Sequence, residues 1–190
     1  LSFANIQFEK EEPSAAAVTA AKPYLSAPVM IRGTAEAFYL PQNKFAIKKT
    51  AEEIISVEAP ISRKQLMKKV LNEWSITRSG SKVESIFIDA VSGISANKTT
   101  DGDRTFYWRN GQDPDKYEGY RVDDTESGKR SMDDVTSQEI INAVTEVLRE
   151  QISLSETDLI RETAKKFGYS RMGGVIESSV EYAVRTGISQ

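Results

Sequence analysis

Nine basic side chains carry most of the chemistry this sequence offers: Arg63, Lys64, Lys68 and Lys69 within seven positions, then Arg78, Lys82, Lys98, Arg104 and Arg171. Such groups neutralise phosphates, the main term in sequence-independent affinity for nucleic acid, and an arginine can also take a guanine edge through paired donors. Four basic residues in seven are equally often a solubilising face. The chain has no histidine and no cysteine, which removes the commonest general base, the commonest metal ligand and all disulfide or thiolate chemistry. Asp101, Asp103, Asp113 and Asp115 raise the question of a metal, but Tyr117 stands at the third ligand position of a calcium loop and the glycine comes one place late, at 119. Turn chemistry accounts for these aspartates. No Gly-x-x-x-x-Gly-Lys phosphate loop occurs. The residues predict no catalytic site, no metal and no cofactor, hence a chain that is not an enzyme.

The elements that must position these bases show through a repeat. Trp74-Ser-Ile-Thr-Arg-Ser-Gly80 and Phe167-Gly-Tyr-Ser-Arg-Met-Gly173 are near copies at an offset of 93. The same offset pairs Ser62 with Ser155, Leu66 with Leu159, Glu84 with Glu177, Ser85 with Ser178, Ala90 with Ala183 and Val91 with Val184. Shared apolar positions with unmatched surface residues are the mark of a duplicated folding unit.

In the first unit, Thr50 with Glu53 reads as a capping box opening a helix with an Ile54, Ile55 and Val57 stripe, and Pro60 stops it. Ser62 with Gln65 caps a second helix, with Leu66, Met67, Val70, Leu71 and Trp74 on one face. Thr77 is expected to open a third, placing Arg78 in its first turn, with Val83, Ile86, Phe87, Ala90, Val91 and Ile94 inward. Two β-type runs, 94–98 and 105–109, flank a turn at Asp101-Gly102. Within the second run, Tyr107 and Trp108 could stack on bases, but inward packing is the commoner fate of strand aromatics. The second unit repeats the helices: Thr136 with Glu139, Ser155 with Asp158, then Ser170 opening the last helix with Arg171 in its first turn.

The expected fold is mostly α with small β: tandem winged-helix-like units of the helix-turn-helix kind, the first with a β-hairpin wing. Its parts are an N-terminal arm or linker over 1–45, a first unit over 46–112, an exposed acidic connector over 113–134, and a second unit over 135–190 whose wing is absent or truncated. In the arm, Tyr24, Val29, Ile31, Phe38, Tyr39 and Leu40 are apolar anchors expected to lie across the folded units. Arg78 and Arg171 either grip phosphate or bond carbonyls at the end of the preceding helix, and recurrence in both copies favours the second role. Gly80 and Gly173 are expected to admit a closely packed helix.

Charge is uneven along the 190 residues. The net value is −3, yet residues 44–82 hold nine basic against four acidic groups and residues 101–139 hold eleven acidic against six basic. Each third helix is charge-balanced, which weakens it as a phosphate binder. No run approaches the length of a membrane span and no signal-peptide pattern is present, so a cytoplasmic chain without a membrane partner is expected. A start at Leu1 rather than methionine reads as an excised fragment.

Val57-Glu-Ala-Pro-Ile61, the Trp74–Gly80 and Phe167–Gly173 motifs, Phe106-Tyr-Trp108 and Thr136-Ser-Gln-Glu-Ile-Ile-Asn-Ala143 together resemble the bacterial domain of unknown function family 3320, over roughly residues 36 to 190. That family is usually found at the C-terminal end of very large proteins resembling superfamily 1 helicases with a restriction-endonuclease-like domain. The resemblance implies a helicase-associated accessory module and places no ATPase or nuclease residue in this chain. The expected function is therefore nonenzymatic nucleic-acid binding, with DNA and the other domains of a parent polypeptide as partners. The alternative is a protein-docking module, or a homodimer formed through the third helices.

Overall fold

A computed structural model describes residues 21–123, 130–151 and 154–187. The described chain is mostly helical with two small sheets. It divides into two bodies, Pro23–Tyr117 with Asp123–Thr136, and Glu118–Val122 with the described parts of Leu1–Lys22 and Ser137–Gln190.

In the first body, α1 (Ala35–Phe38) is capped by the Thr34 hydroxyl, which accepts from the Ala37 amide. A single 3-10 turn with proline at its first position leads into α2 (Lys44–Glu58). The helix expected to open at Thr50 thus begins six residues earlier. Thr50 lies buried in mid-helix, where its hydroxyl donates to the Ala46 carbonyl at 2.9 Å instead of capping. Ile47, Ala51, Ile54, Ile55 and Glu58 recur at helical spacing on the buried face, while Val57 is exposed.

Strand β2 (Ile61–Ser62) runs directly into α3 (Arg63–Glu73), and α4 (Ser81–Val91) follows a loop. The expected Thr77 start fails because residues 77–80 are not helical, and Gly80, in extended conformation, takes the N-cap. The hairpin is β3 (Asn97–Asp101) and β4 (Arg104–Trp108), closed by the Asp101–Arg104 pair. Gly102 alone of the two turn residues has positive φ, at 64°, the requirement of a type II′ turn. Strand order is β2-β4-β3, with Ile61 opposite Tyr107 and Ser62 opposite Phe106. Phe106, Tyr107 and Trp108 are all buried, so both faces of β4 are covered and neither Tyr107 nor Trp108 presents a free ring for base stacking. Trp108 donates its indole N–H to the Thr99 hydroxyl at 2.8 Å.

The core joins α2, α3 and α4 around Ile47, Ile54, Leu66, Val70 and Phe87, with Trp74 edge-on to Phe38 at 5.8 Å. Of the expected arm anchors only Tyr24 and Phe38 are buried; Val29, Ile31, Tyr39 and Leu40 face solvent, and the first twenty residues lie outside the description.

The second body has β1 (Ala21–Pro23) paired with β5 (Tyr120–Val122), then α5 (Ser137–Glu150), α6 (Glu156–Lys166) and α7 (Gly174–Gly187). As in the first copy, the last helix starts later than expected, at Gly174 rather than Ser170. The stretch read as an exposed connector is partly interior: Tyr120, Arg121, Met132 and Asp134 are all buried.

The paired sequence motifs also share single hydrogen bonds. Ser62 accepts from the Gln65 amide and Ser155 from the Asp158 amide. At the end of α3, Ser75 bonds Asn72 and Ile76 bonds Leu71; at the end of α6, Gly168 bonds Lys165 and Tyr169 bonds Ala164. These are the paired bonds of a Schellman motif, and in both copies the residue in the left-handed region is the one it requires: Ser75 with φ 57° and Gly168 with φ 82°.

Candidate nucleic-acid interface

The first turn of α3 is delivered by β2, whose pairing with β4 brings Arg63 and Lys64 beside the hairpin. Ser62 fixes that turn twice over, accepting from the Gln65 amide while donating its hydroxyl to the buried Asp134 carboxylate. A cleft of about 300 Å³ opens there, with Arg63, Lys64 and Arg104 facing Asp103, Asp133 and Asp134. Beyond it, Arg63 and Lys98 converge on Tyr107. Burial raises the Tyr107 phenol above its ordinary pKa, opposed by the positive charge of Arg63, and the Lys98 ammonium lies 5.2 Å from the ring centre. Lys68, one turn on from Lys64, is exposed on the same side of α3.

Among the described residues Arg63, Lys64 and Lys68 have no hydrogen-bond or ion-pair partner. None of the three is held in an ion pair within the fold, although Arg63 and Lys64 share their cleft with three carboxylates. Lys69 is different: its ammonium lies 2.7 Å from the carboxylate of Glu58, which is wholly buried and also accepts from the Tyr24 hydroxyl and the Ala27 amide. Sequence spacing grouped Lys69 with its neighbours, but burial of Glu58 claims it for the core. Arg104 is half-buried, donating to the Asp101 carbonyl at 3.3 Å with its guanidinium over Phe106.

The remaining candidates lie elsewhere. Arg78 is in the loop beyond the far end of α3, and an eleven-residue helix is roughly 16 Å long. Lys82, in the first turn of α4, sits 5.1 Å from the centre of the Tyr39 ring. Arg171 belongs to the second body, in the loop before α7. Neither Arg78 nor Arg171 bonds a carbonyl; both are exposed, and among the described residues neither has a partner. The role of fixing the helix end, expected for these arginines, is performed by the Schellman bonds instead. A Cβ added at Gly80 or Gly173 would meet nothing within 4 Å, so no helix packs against either glycine.

The outer face of α4 carries Ser81, Glu84, Ser85, Ile88 and Asp89. With Lys82 it holds one base and two acids, a poor match for a groove walled with phosphates.

Several charged positions escaped sequence reasoning because only tertiary contact defines them. Arg32 bridges Glu53 and the buried Glu73; burial opposes its charge, and the two carboxylates more than offset that, raising its pKa. In the second body Arg121 donates to buried Glu139 through its amide and guanidinium, at 2.9 to 3.1 Å. Lys166 bonds Glu146 and Glu150, and its pKa is raised because these partners outweigh its desolvation. Burial, helped by Glu146, pushes the Tyr120 phenol up to about 12.

Residues 36–85 match the family described as "Protein of unknown function (DUF3320)". The match runs from α1 into the first half of α4 and stops short of the hairpin and of the second body, a narrower span than the expected 36 to 190. The chain is similar to that family over those residues. No curated protein and no solved structure matches it. Among the described residues no helix is long and apolar enough to cross a membrane, and no cluster of three acidic groups could hold a metal ion.

Proposed function

We propose that this chain is a nonenzymatic accessory module of winged-helix type that holds the phosphate backbone of nucleic acid with the start of α3 and the hairpin. Helix, short strand, helix, helix, hairpin, with the first strand against the last, is the order of a winged helix, and the second body repeats its three helices. The observation that carries the reading is the unpaired trio Arg63, Lys64 and Lys68 beside Lys98 and Arg104. Because α4 offers serines, carboxylates and Ile88 where a recognition helix would offer base-reading groups, binding is expected to be sequence-independent. Similarity to family 3320 supports a place beside a helicase or nuclease in a longer cytoplasmic polypeptide, which would supply the catalysis.

The test is fluorescence polarisation with a labelled duplex. About four phosphate contacts give a slope of about −3.6 in log affinity against log salt, a loss of about a hundredfold between 50 and 200 mM. Arg63→Glu, Lys64→Glu and Lys68→Glu combined should abolish binding with the fold unchanged. No binding at the lowest salt would overturn the reading. A second reading, docking on protein, is favoured by one observation: exposed Ile88 sits amid the polar face of α4.

A further inference from the structure

The first body has a second surface that shares no residue with the phosphate-binding one. Phe45, on the first turn of α2, is 74% exposed, and Ile88, on α4, is 41% exposed. Two shallow grooves of about 470 and 580 Å³ run along α2 and α4 and meet at Asp89 and Ser92, so the two apolar side chains belong to one continuous face. Its α2 edge carries Lys44 and Lys48, and its α4 edge carries Glu84 and Asp89. Lys44 and Asp89 already meet at 2.7 Å across the middle, both well exposed.

We infer that this face binds a second copy of the chain, deepening the protein-docking reading above and independent of the phosphate reading. A two-fold interface places one patch against itself, so it requires a patch complementary to its own rotated image. Here the Lys44–Asp89 pair lies between an α2 side bearing Phe45 and Lys48 and an α4 side bearing Ile88 and Glu84, and a two-fold axis through that pair carries each lysine side onto the partner's carboxylate side. Phe45 and Ile88 then become the desolvated anchors, and the exposed Lys44–Asp89 pair exchanges for pairs between copies at little cost. A partner bearing one sign of charge would leave half of this face opposed by like charge.

Sedimentation equilibrium of the whole chain tests it, across a wide range of protein concentration. A reversible dimer is expected, weakened at least about tenfold by Phe45→Glu and by Ile88→Glu, both surface positions whose substitution leaves the circular dichroism unchanged. Lys48→Glu should weaken association and Lys48→Glu with Glu84→Lys should restore it. A chain that stays monomeric throughout, or a dimer indifferent to both apolar substitutions, overturns the inference. Nucleic-acid affinity of Phe45→Glu at low protein concentration should equal that of the unaltered chain, so failure here is distinct from failure of the phosphate reading.

Discussion

Glu58 and Lys69 show how a single pair decides which bases remain available to a ligand. The carboxylate is fully buried with Tyr24, Ala27 and Lys69 among its partners, and the ammonium that meets it is only one-fifth exposed. Lys69→Ala removes the ammonium from that buried carboxylate, and should cost about 2–3 kcal/mol in urea unfolding, whereas Lys68→Ala, on the solvent side, should cost almost nothing. Tyr120 supplies a pH test. Its phenol titrates near 10 when unfolded and about 12 when folded. The folded state therefore holds the proton longer, and the stability this contributes is complete below pH 10 and lost as pH rises through about 12. Tyr120→Phe should shallow the alkaline fall in stability by close to one proton without removing it, because Lys166, raised as well, loses its proton at still higher pH.

At the scale of elements, what was legible was whatever a helix states locally. Ser62 and Ser155 announce the starts of α3 and α6, and both structural caps are in place. Gly102 announces the hairpin. α4 and α7 start four residues beyond Thr77 and Ser170, because the Schellman turn that ends each preceding helix is followed by a non-helical stretch containing those residues. Thr50 failed for the opposite reason: a helix already under way from Lys44 turns a capping residue into a mid-helix one. The two Schellman turns allow a direct exchange. Gly168→Ala should cost about 1 kcal/mol, since φ 82° suits only glycine well; Ser75→Gly should gain less than that, because the serine hydroxyl donates to the Gly33 carbonyl at 3.2 Å. Thermal unfolding of the two variants decides the comparison.

For the molecule as a whole, the candidate site was half legible. Basic residue types could be picked out from the sequence, but which of them the fold neutralises could not, because Glu58 reaches Lys69 only through the packing of α2 against α3. The chain is acidic overall, at −3, so binding to a polyanion depends on a local basic surface and not on the general field. Lys64→Glu alone should accordingly flatten the salt slope by about one, whereas Arg171→Glu, in the other body, should change affinity by less than about twofold. Titrations of both variants against the same duplex separate a localised grip from a diffuse one.

The pairing of Arg121 with Glu139 sets a limit on how the gene can be cut. A fragment starting after β5 would contain all three helices of the second body, yet it would seal a carboxylate inside α5 with its guanidinium left on the discarded piece. Dissection at the sequence repeat alone is thus expected to yield an aggregating product, while a boundary upstream of Glu118 keeps the charge compensated.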